Sequence, residues 1–275
     1  MLMRPVIASE GESAGRLVWP PLNIAHRGAS GEAPENTLAA FDLALRQGAN
    51  GIEFDVHLSS DGIPVVIHDP RLDRTTSGGG WVSEHRASAL RKLDAGSWFN
   101  RRFPEKARQL YLAAKIPLLS EVLAWVRQHR LLAFIEIKRS RRAYLGIEAK
   151  VVEEIEQQGV RRLVTIVSFD LESLRRVRQL NRRVLLGLDV SRSLLAIRRV
   201  RSVAGNAVLP HWAVASRGFI RRAHQHSIRV IPWAVDPPAR MERMIAQDVD
   251  GIITNYPTRL AEVLRRQESE DSRRE

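Results

Sequence analysis

The stretch NGIEFDVHLSSDG, residues 50–62, sets Glu53, Asp55 and His57 at every second position, between Ile52, Phe54, Val56 and Leu58. Alternate side chains of a β-strand share a face, so two carboxylates and an imidazole line one side and an apolar row the other. Strands of a parallel sheet are covered on both faces, and two like charges buried side by side are costly unless a cation offsets them. Glu136 repeats the pattern between Ile135 and Ile137 in LLAFIEIK. Three carboxylates and no thiol make an oxygen-rich donor set, which suits Mg2+ or Ca2+ better than zinc. His57 shares the face as a further ligand, as a partner behind the ligands, or as a structural residue.

Other apolar runs also end on reactive side chains. LNIAHRG delivers His26 and Arg27, IPVVIHD delivers His68 and Asp69, LLAFIEIK adds Lys138, VTIVSF reaches Ser168, and VIPW ends on Trp233. A guanidinium forks onto phosphate oxygens, and an imidazole moves a proton near neutral pH. Two histidines on opposite sides of a phosphate would divide the labour, one taking a proton and the other giving one. Arg27 and Lys138, with a divalent cation, would stabilise the charge of a pentacoordinate phosphorus transition state.

Such a set needs a fold that gathers strand ends, and a parallel barrel does so at its C-terminal mouth. After a loose start over residues 1–20, apolar runs at 22–26, 51–58, 131–138, 162–168, 183–189, 206–210, 228–233 and 250–254 read as strands. Helical periodicity covers 35–47, 118–129, 144–158, 171–180, 216–226, 238–247 and 257–266, and more weakly 191–203. Alternation of strand and helix predicts parallel strands joined by helical crossovers. Eight such units suggest a (β/α)8 barrel, although a doubly wound open sheet fits the same pattern. SSDGIPVVIHDP resembles a hairpin turning at Asp61–Gly62. Residues 70–114 are too long for an ordinary connection and read as an insertion after the second strand. The tail QESEDSRRE, 267–275, reads as disordered, leaving a barrel domain over 21–266.

Composition narrows the classes. The 275 residues are 44% hydrophobic and 27% charged, enough for a sizeable core. No run approaches the roughly 20 apolar residues of a membrane span, so no integral membrane association is expected. The first twenty residues contain no continuous apolar segment of the signal-peptide kind, and a cytoplasmic protein is expected. The absence of cysteine excludes disulfides, thiolate nucleophiles and cysteine-ligated metals. The net charge of +12 comes mostly from arginines in scattered pairs such as Arg161–Arg162 and Arg221–Arg222. That spread reads as solvated helix faces and not as one nucleic-acid-binding block.

The segment HRGASGEAPENTLAAFDLALRQGANGIEFDVHLSSDGIPVVIHDPRLDRTTSGGG resembles the N-terminal signature of the glycerophosphodiester phosphodiesterases, and the likeness continues through KIPLLSEVL, FIEIK, VSF, IPWAVD and DGIITNYP. It covers about 22–260, and HRG, ExD, HD and EIK at these separations are together highly specific. The resemblance implies a TIM (β/α)8 barrel with a small insertion after the second strand. It implies metal-dependent hydrolysis of small-molecule glycerophosphodiesters to glycerol 3-phosphate and an alcohol, with Mg2+ or Ca2+ as cofactor. By position, His26 and His68 are similar to the acid/base pair, Arg27 to a phosphate contact, and Glu53, Asp55 and Glu136 to metal ligands. Lys138 matches the lysine near the phosphate, and Trp233 the aromatic residue packed near the substrate. The chain departs from the family pattern at Leu118, where threonine is usual, at Ala234 and Asp236 in place of Thr and Asn, and at Asn255 in place of Asp. Loss of the acid at Asn255 is expected to alter hydrogen bonding at the strand ends. Two other readings are a phospholipase of the same barrel lineage, acting on lysophospholipid or sphingomyelin, and a catalytically silent barrel that binds polyanions.

Overall fold

The structure, a computed structural model, describes residues 21–138, 146–192 and 195–272. The segment 1–20, expected to be loose, lies outside the described residues. Strand β1 (Leu22–His26) is followed by α1 (Leu38–Arg46), and β2 (Gly51–Leu58) by the short antiparallel β3 (Pro64–Val66). The insertion carries α2 (Ala87–Leu90) and α3 (Ser97–Arg102). Then come α4 (Leu119–His129), β4 (Leu132–Ile137), α5 (Ile147–Gln157), β5 (Val164–Ser168), α6 (Leu171–Leu180) and β6 (Leu185–Val190). The chain ends through α7 (Ala196–Arg201), β7 (Ala207–Pro210), α8 (Arg217–His224), β8 (Arg229–Val230), α9 (Pro238–Ile245), β9 (Gly251–Thr254) and α10 (Pro257–Asp271). None of the described helices is long and apolar enough to cross a membrane.

The parallel strands follow the order β8-β7-β6-β5-β4-β2-β1-β9, with β3 paired to β2. The ring closes between its two ends through single backbone bonds: Asp250 N–H to Val230 O (2.9 Å), Ile253 N–H to Pro232 O (2.9 Å) and Val235 N–H to Ile253 O (2.9 Å). Pro232 offers no N–H, which is why β8 stops at Val230 and the closing edge is sparse. The expected eight-stranded barrel is therefore the fold, and the open-sheet alternative falls.

Alternation decides what each strand face meets. Ile52, Phe54, Val56 and Leu58 point outward into a core shared with helix residues such as Phe41, Leu123 and Val126. Inside the barrel, Ile24, Phe134, Val167, Leu209, Ile231 and Ile253 form an apolar plug. In register, Ile24 sits beside Gly51, His26 beside Glu53, and Asp55 beside Glu136, so the polar residues lie one layer nearer the C-terminal mouth than the plug. The plug keeps water from the N-terminal side and gives the site a low-dielectric floor.

Helix starts follow their caps. Ala40 N–H donates to Thr37 Oγ1 (3.2 Å) at α1, and Glu172 N–H to Asp170 Oδ1 (3.0 Å) at α6. At α4 the N-cap is Leu118, which has no acceptor; Glu121 Oε2 takes the Leu118 N–H at 2.8 Å and keeps that half of the cap. Leu118 instead packs on a cluster that joins Val65 of β3 to Leu72, Val82 and Leu90 of the insertion. A Cβ on Gly96 would lie 1.7 Å from Tyr111 O, so only glycine lets the two insertion segments meet there. The last helix corrects an expectation: residues 267–271, read as tail, continue α10. Arg265, Arg266, Gln267 and Glu268 are all good helix formers, and charge alone does not end a helix.

Phe54 is fully buried and packs on Phe41 with ring centroids 5.8 Å apart, directly behind the acidic face of β2. Phe54→Ala is expected to cost about 3–5 kcal/mol in chemical denaturation. A loss under about 1 kcal/mol would show that the outward row of β2 does not hold the strand.

Candidate active site

Neighbouring parallel strands lie about 4.8 Å apart, so in-register acids on one face must meet. Asp55 and Glu136 are such a pair, and Glu53 precedes Asp55 on the same face. One carboxylate oxygen from each of Glu53, Asp55 and Glu136 lies within 4.8 Å of the other two, and all three residues are buried. Lys138 Nζ stands 2.8 Å from Asp55 Oδ1 and 2.6 Å from Glu136 Oε2. Arg27 Nε lies 3.3 Å from Asp55 Oδ2, and Arg27 Nη1 2.9 Å from Glu35 Oε1. Asn36 Nδ2 donates to Asp55 Oδ2 at 2.7 Å.

Two cations do not balance three buried acids. Burial pushes the Asp55 carboxyl up, but Lys138 and Arg27 outweigh it and hold Asp55 ionised, well below the usual carboxylate range. Burial pushes Glu136 up to about 7, with Lys138 opposing and Asp55 adding to the rise. Burial, then Asp55 and Glu136, holds Glu53 well above its ordinary value. The trio thus keeps protons for want of positive charge. An all-carboxylate cluster of this kind could hold a hard divalent cation, which would supply that charge.

The turn after β1 aims two groups at the cluster. Arg27 (φ 55°) and Gly28 (φ +80°) are both left-handed, and a Cβ on Gly28 would fall 2.7 Å from the Ala40 backbone. His26 Nδ1 lies 2.7 Å from Asn255 Oδ1, whose amide Nδ2 donates to Asp236 Oδ2 at 2.7 Å. With the amide fixed by Asp236, Nδ1 carries the proton and Nε2 keeps its lone pair, 3.9 Å from Glu53 Oε2. Burial, then Arg27, lowers the His26 pKa to about 4. Asn255 and Asp236, two of the positions that depart from the family pattern, are bonded to each other, and His26 rests on the amide.

His68 follows β3. Its Nδ1 lies 2.6 Å from Asp69 Oδ1, Arg74 Nε donates to Asp69 Oδ2 (2.6 Å), and Arg74 Nη1 donates to Glu35 Oε2 (2.7 Å). Through Glu35 that chain returns to Arg27. Burial lowers the His68 pKa against the field of Asp55. His57 Nε2 donates to the His68 backbone carbonyl at 2.9 Å, and burial brings the His57 pKa to about 4. His57 therefore braces His68, and the close acid cluster is the carboxylate trio without it.

Trp233 stands apart from the charged cluster on the wall of the mouth. Its indole N–H donates to Leu209 O (2.7 Å), and its ring meets Phe169 at 5.6 Å and His211 at 5.4 Å. Ser168 turns away from catalysis: its hydroxyl donates to Ile137 O at 2.9 Å and accepts from Asp170 N–H at 3.1 Å. Sequence reasoning passed over Glu35, Asn36 and Arg74, which join the histidine and arginine networks. It also passed over Asp189, which ends the run VLLGLD as Glu136 ends its own. Asp189 is 6% exposed, its Oδ2 has no hydrogen-bond partner among the described residues, and burial with the nearby Glu136 holds its carboxyl well above the usual range.

A parallel barrel whose mouth joins an acid trio, an arginine, a lysine and two anchored imidazoles defines a phosphate-ester site. Residues 26–259 match the model of the glycerophosphoryl diester phosphodiesterase family, and the chain belongs to it. It is 36% identical to a glycerophosphodiester phosphodiesterase of Bacillus subtilis, over 93% of this chain and 90% of that protein. It is 37% identical to one from Caldanaerobacter subterraneus, over 89% of this chain and 98% of that protein. Among solved structures it resembles an Oleispira antarctica phosphodiesterase in complex with its product sn-glycerol 3-phosphate (TM-score 0.80, 29% identity, 88% of this chain and 95% of that one). A glycerophosphodiester phosphodiesterase from Agrobacterium tumefaciens superposes with TM-score 0.73 at 31% identity, over 86% of this chain and 97% of that one.

Asn36 holds a left-handed φ of 58° and bonds a buried carboxylate. Asn36→Ala is expected to lower folding stability by at least about 2 kcal/mol, from the lost bond to charge plus the strained backbone. Equal stability of variant and wild type in urea would show that Asp55 does not depend on Asn36.

Proposed function

We propose that the protein hydrolyses glycerophosphodiesters to glycerol 3-phosphate and an alcohol, dependent on a divalent cation, with His26 and His68 as the acid/base pair. The observation that carries this reading is the convergence of Glu53, Asp55 and Glu136 with Arg27 and Lys138 beside two imidazoles whose Nδ1 atoms are anchored.

Glu53, Asp55 and Glu136 would hold the cation, Mg2+ or Ca2+, which when bound supplies charge neutralisation at the phosphate and polarises a coordinated oxygen. Arg27 presents its guanidinium edge and Lys138 its ammonium to the non-bridging phosphate oxygens. One imidazole, neutral with a lone pair at Nε2, takes a proton from the attacking water as the new P–O bond forms. The other enters the step as imidazolium, Nδ1–H on its anchor, and gives its Nε2 proton to the departing alcohol oxygen as the old P–O bond breaks. Anchoring Nδ1 on Asn255 or Asp69 fixes each ring so that Nε2 faces the phosphorus. Trp233 forms an apolar wall for the carbon skeleton of the substrate.

Release of glycerol 3-phosphate from glycerophosphodiesters is expected to stop in chelator and to return with added Mg2+ or Ca2+. His26→Ala and His68→Ala are each expected to lower kcat by at least roughly 100-fold. Full turnover by metal-stripped protein would remove the cation from the reaction, and wild-type rates in both variants would remove the histidines.

A further inference from the structure

Beside His26 the mouth opens into a cleft of about 860 Å³, walled on its far side by α3 of the insertion. Arg27 and Arg74 line it but are engaged by Glu35 and Asp69. The cleft's second acid, Asp236, accepts from Thr254 Oγ1 and from both nitrogens of Asn255. On the far wall Arg101 and Arg102 are exposed and have no carboxylate partner among the described residues. Lys106 Nζ reaches in beside them, tethered by one bond to Gly31 O at 2.9 Å.

The aromatic residues in the cleft narrow the ligand further. A quaternary ammonium head group is recognised by open ring faces, usually with an acid nearby. Here two of the three rings are taken by the chain's own cations: Lys106 Nζ lies 5.3 Å from the Phe103 centroid and 5.7 Å from that of Tyr256, and Arg259 Cζ lies 3.8 Å from Tyr256. The third, Trp98, is packed edge-on against Phe99 at 5.7 Å. Unpaired guanidiniums, cations over two of the three rings and fully engaged acids together favour an anion over a cation. The glycerol half of the substrate carries hydroxyls only, so the negative charge belongs to the alcohol half.

We propose that this cleft is the head-group subsite and that it selects glycerophosphodiesters whose alcohol carries a further anionic group, a phosphomonoester or a carboxylate, with Arg101 and Arg102 as specificity-determining residues. The inference rests on the phosphodiesterase reading above and adds the class of head group to it. The net charge of +12 adds long-range attraction for the same substrates.

The test compares glycerophosphocholine, glycerophosphoglycerol and glycerophosphoglycerol bearing a terminal phosphate, by turnover in divalent cation and by calorimetric binding to metal-stripped protein. The phosphorylated ester is expected to exceed the choline ester in kcat/KM by roughly tenfold or more, the scale of a hydrogen bond to a charged group. The ratio should shrink as NaCl rises from about 20 to about 300 mM. The double variant Arg101→Ala/Arg102→Ala should raise KM for the phosphorylated ester and collapse the ratio toward one, and the double lysine variant should restore part of it. Equal kcat/KM for all three esters, preference for choline, or a ratio unchanged in the alanine variant would overturn the proposal. Charge-selective binding without hydrolysis of any ester would uphold the cleft and overturn the phosphodiesterase reading instead.

Discussion

The repulsion among three carboxylates buried at one end of a barrel sets the terms for the rest of this structure. Parallel register makes Asp55 and Glu136 neighbours, and side-chain alternation adds Glu53. A low-dielectric floor of Ile24, Phe134 and Leu209 prevents water from dissipating the charge. Asp189 adds a fourth buried acid, and several polar groups nearby answer the repulsion. Lys138 bridges Asp55 and Glu136, Arg27 meets Asp55 with its guanidinium and donates its backbone N–H to Glu53, and Asn36 donates to Asp55. The compensation is incomplete, as the raised Glu53 and Glu136 record. A folded chain keeps such a defect only when the surrounding packing outweighs it, here the outward apolar rows that bind each strand to its helices.

The two imidazoles meet different partners. His26 leans on an uncharged amide, itself held by Asp236, whereas His68 leans on the carboxylate of Asp69. Unlike supports suit a division into proton taker and proton giver, because the carboxylate of Asp69 stabilises an imidazolium better than the amide of Asn255 does. Asp236 and Asn255 are bonded to each other, so the support of His26 is an amide whose orientation a carboxylate fixes.

Much of this was legible in the sequence because a polar residue inside an apolar run is an expensive choice. Glu53, Asp55, Glu136 and Lys138 stood out for that reason, and β1 and β2 fall at their expected bounds since their alternation is unbroken. Asp189 obeyed the same rule and carried the same signal. The apolar run 228–233 is longer than β8 because Pro232 removes a ladder donor while leaving the run intact. Glu35, Asn36 and Arg74 were not legible: they sit in loops, where a residue's task depends on backbone turns and on partners as distant as the 39 positions between Arg74 and Glu35. Residues 267–271 are helical where their charge suggests disorder, because charge patterning does not separate a solvated helix from a disordered segment; 273–275 lie outside the described residues.

The central claim is that the trio lacks one positive charge and holds protons in its stead. The most direct test is calorimetric titration of Mg2+ or Ca2+ into metal-stripped protein in buffers of different ionisation enthalpy, which counts the protons displaced. The account predicts one tight site that releases about one proton or more near pH 6 and progressively fewer as the pH rises past about 7, because Glu136 is then already ionised. Absence of cation binding, or binding with no proton release near pH 6, would contradict it.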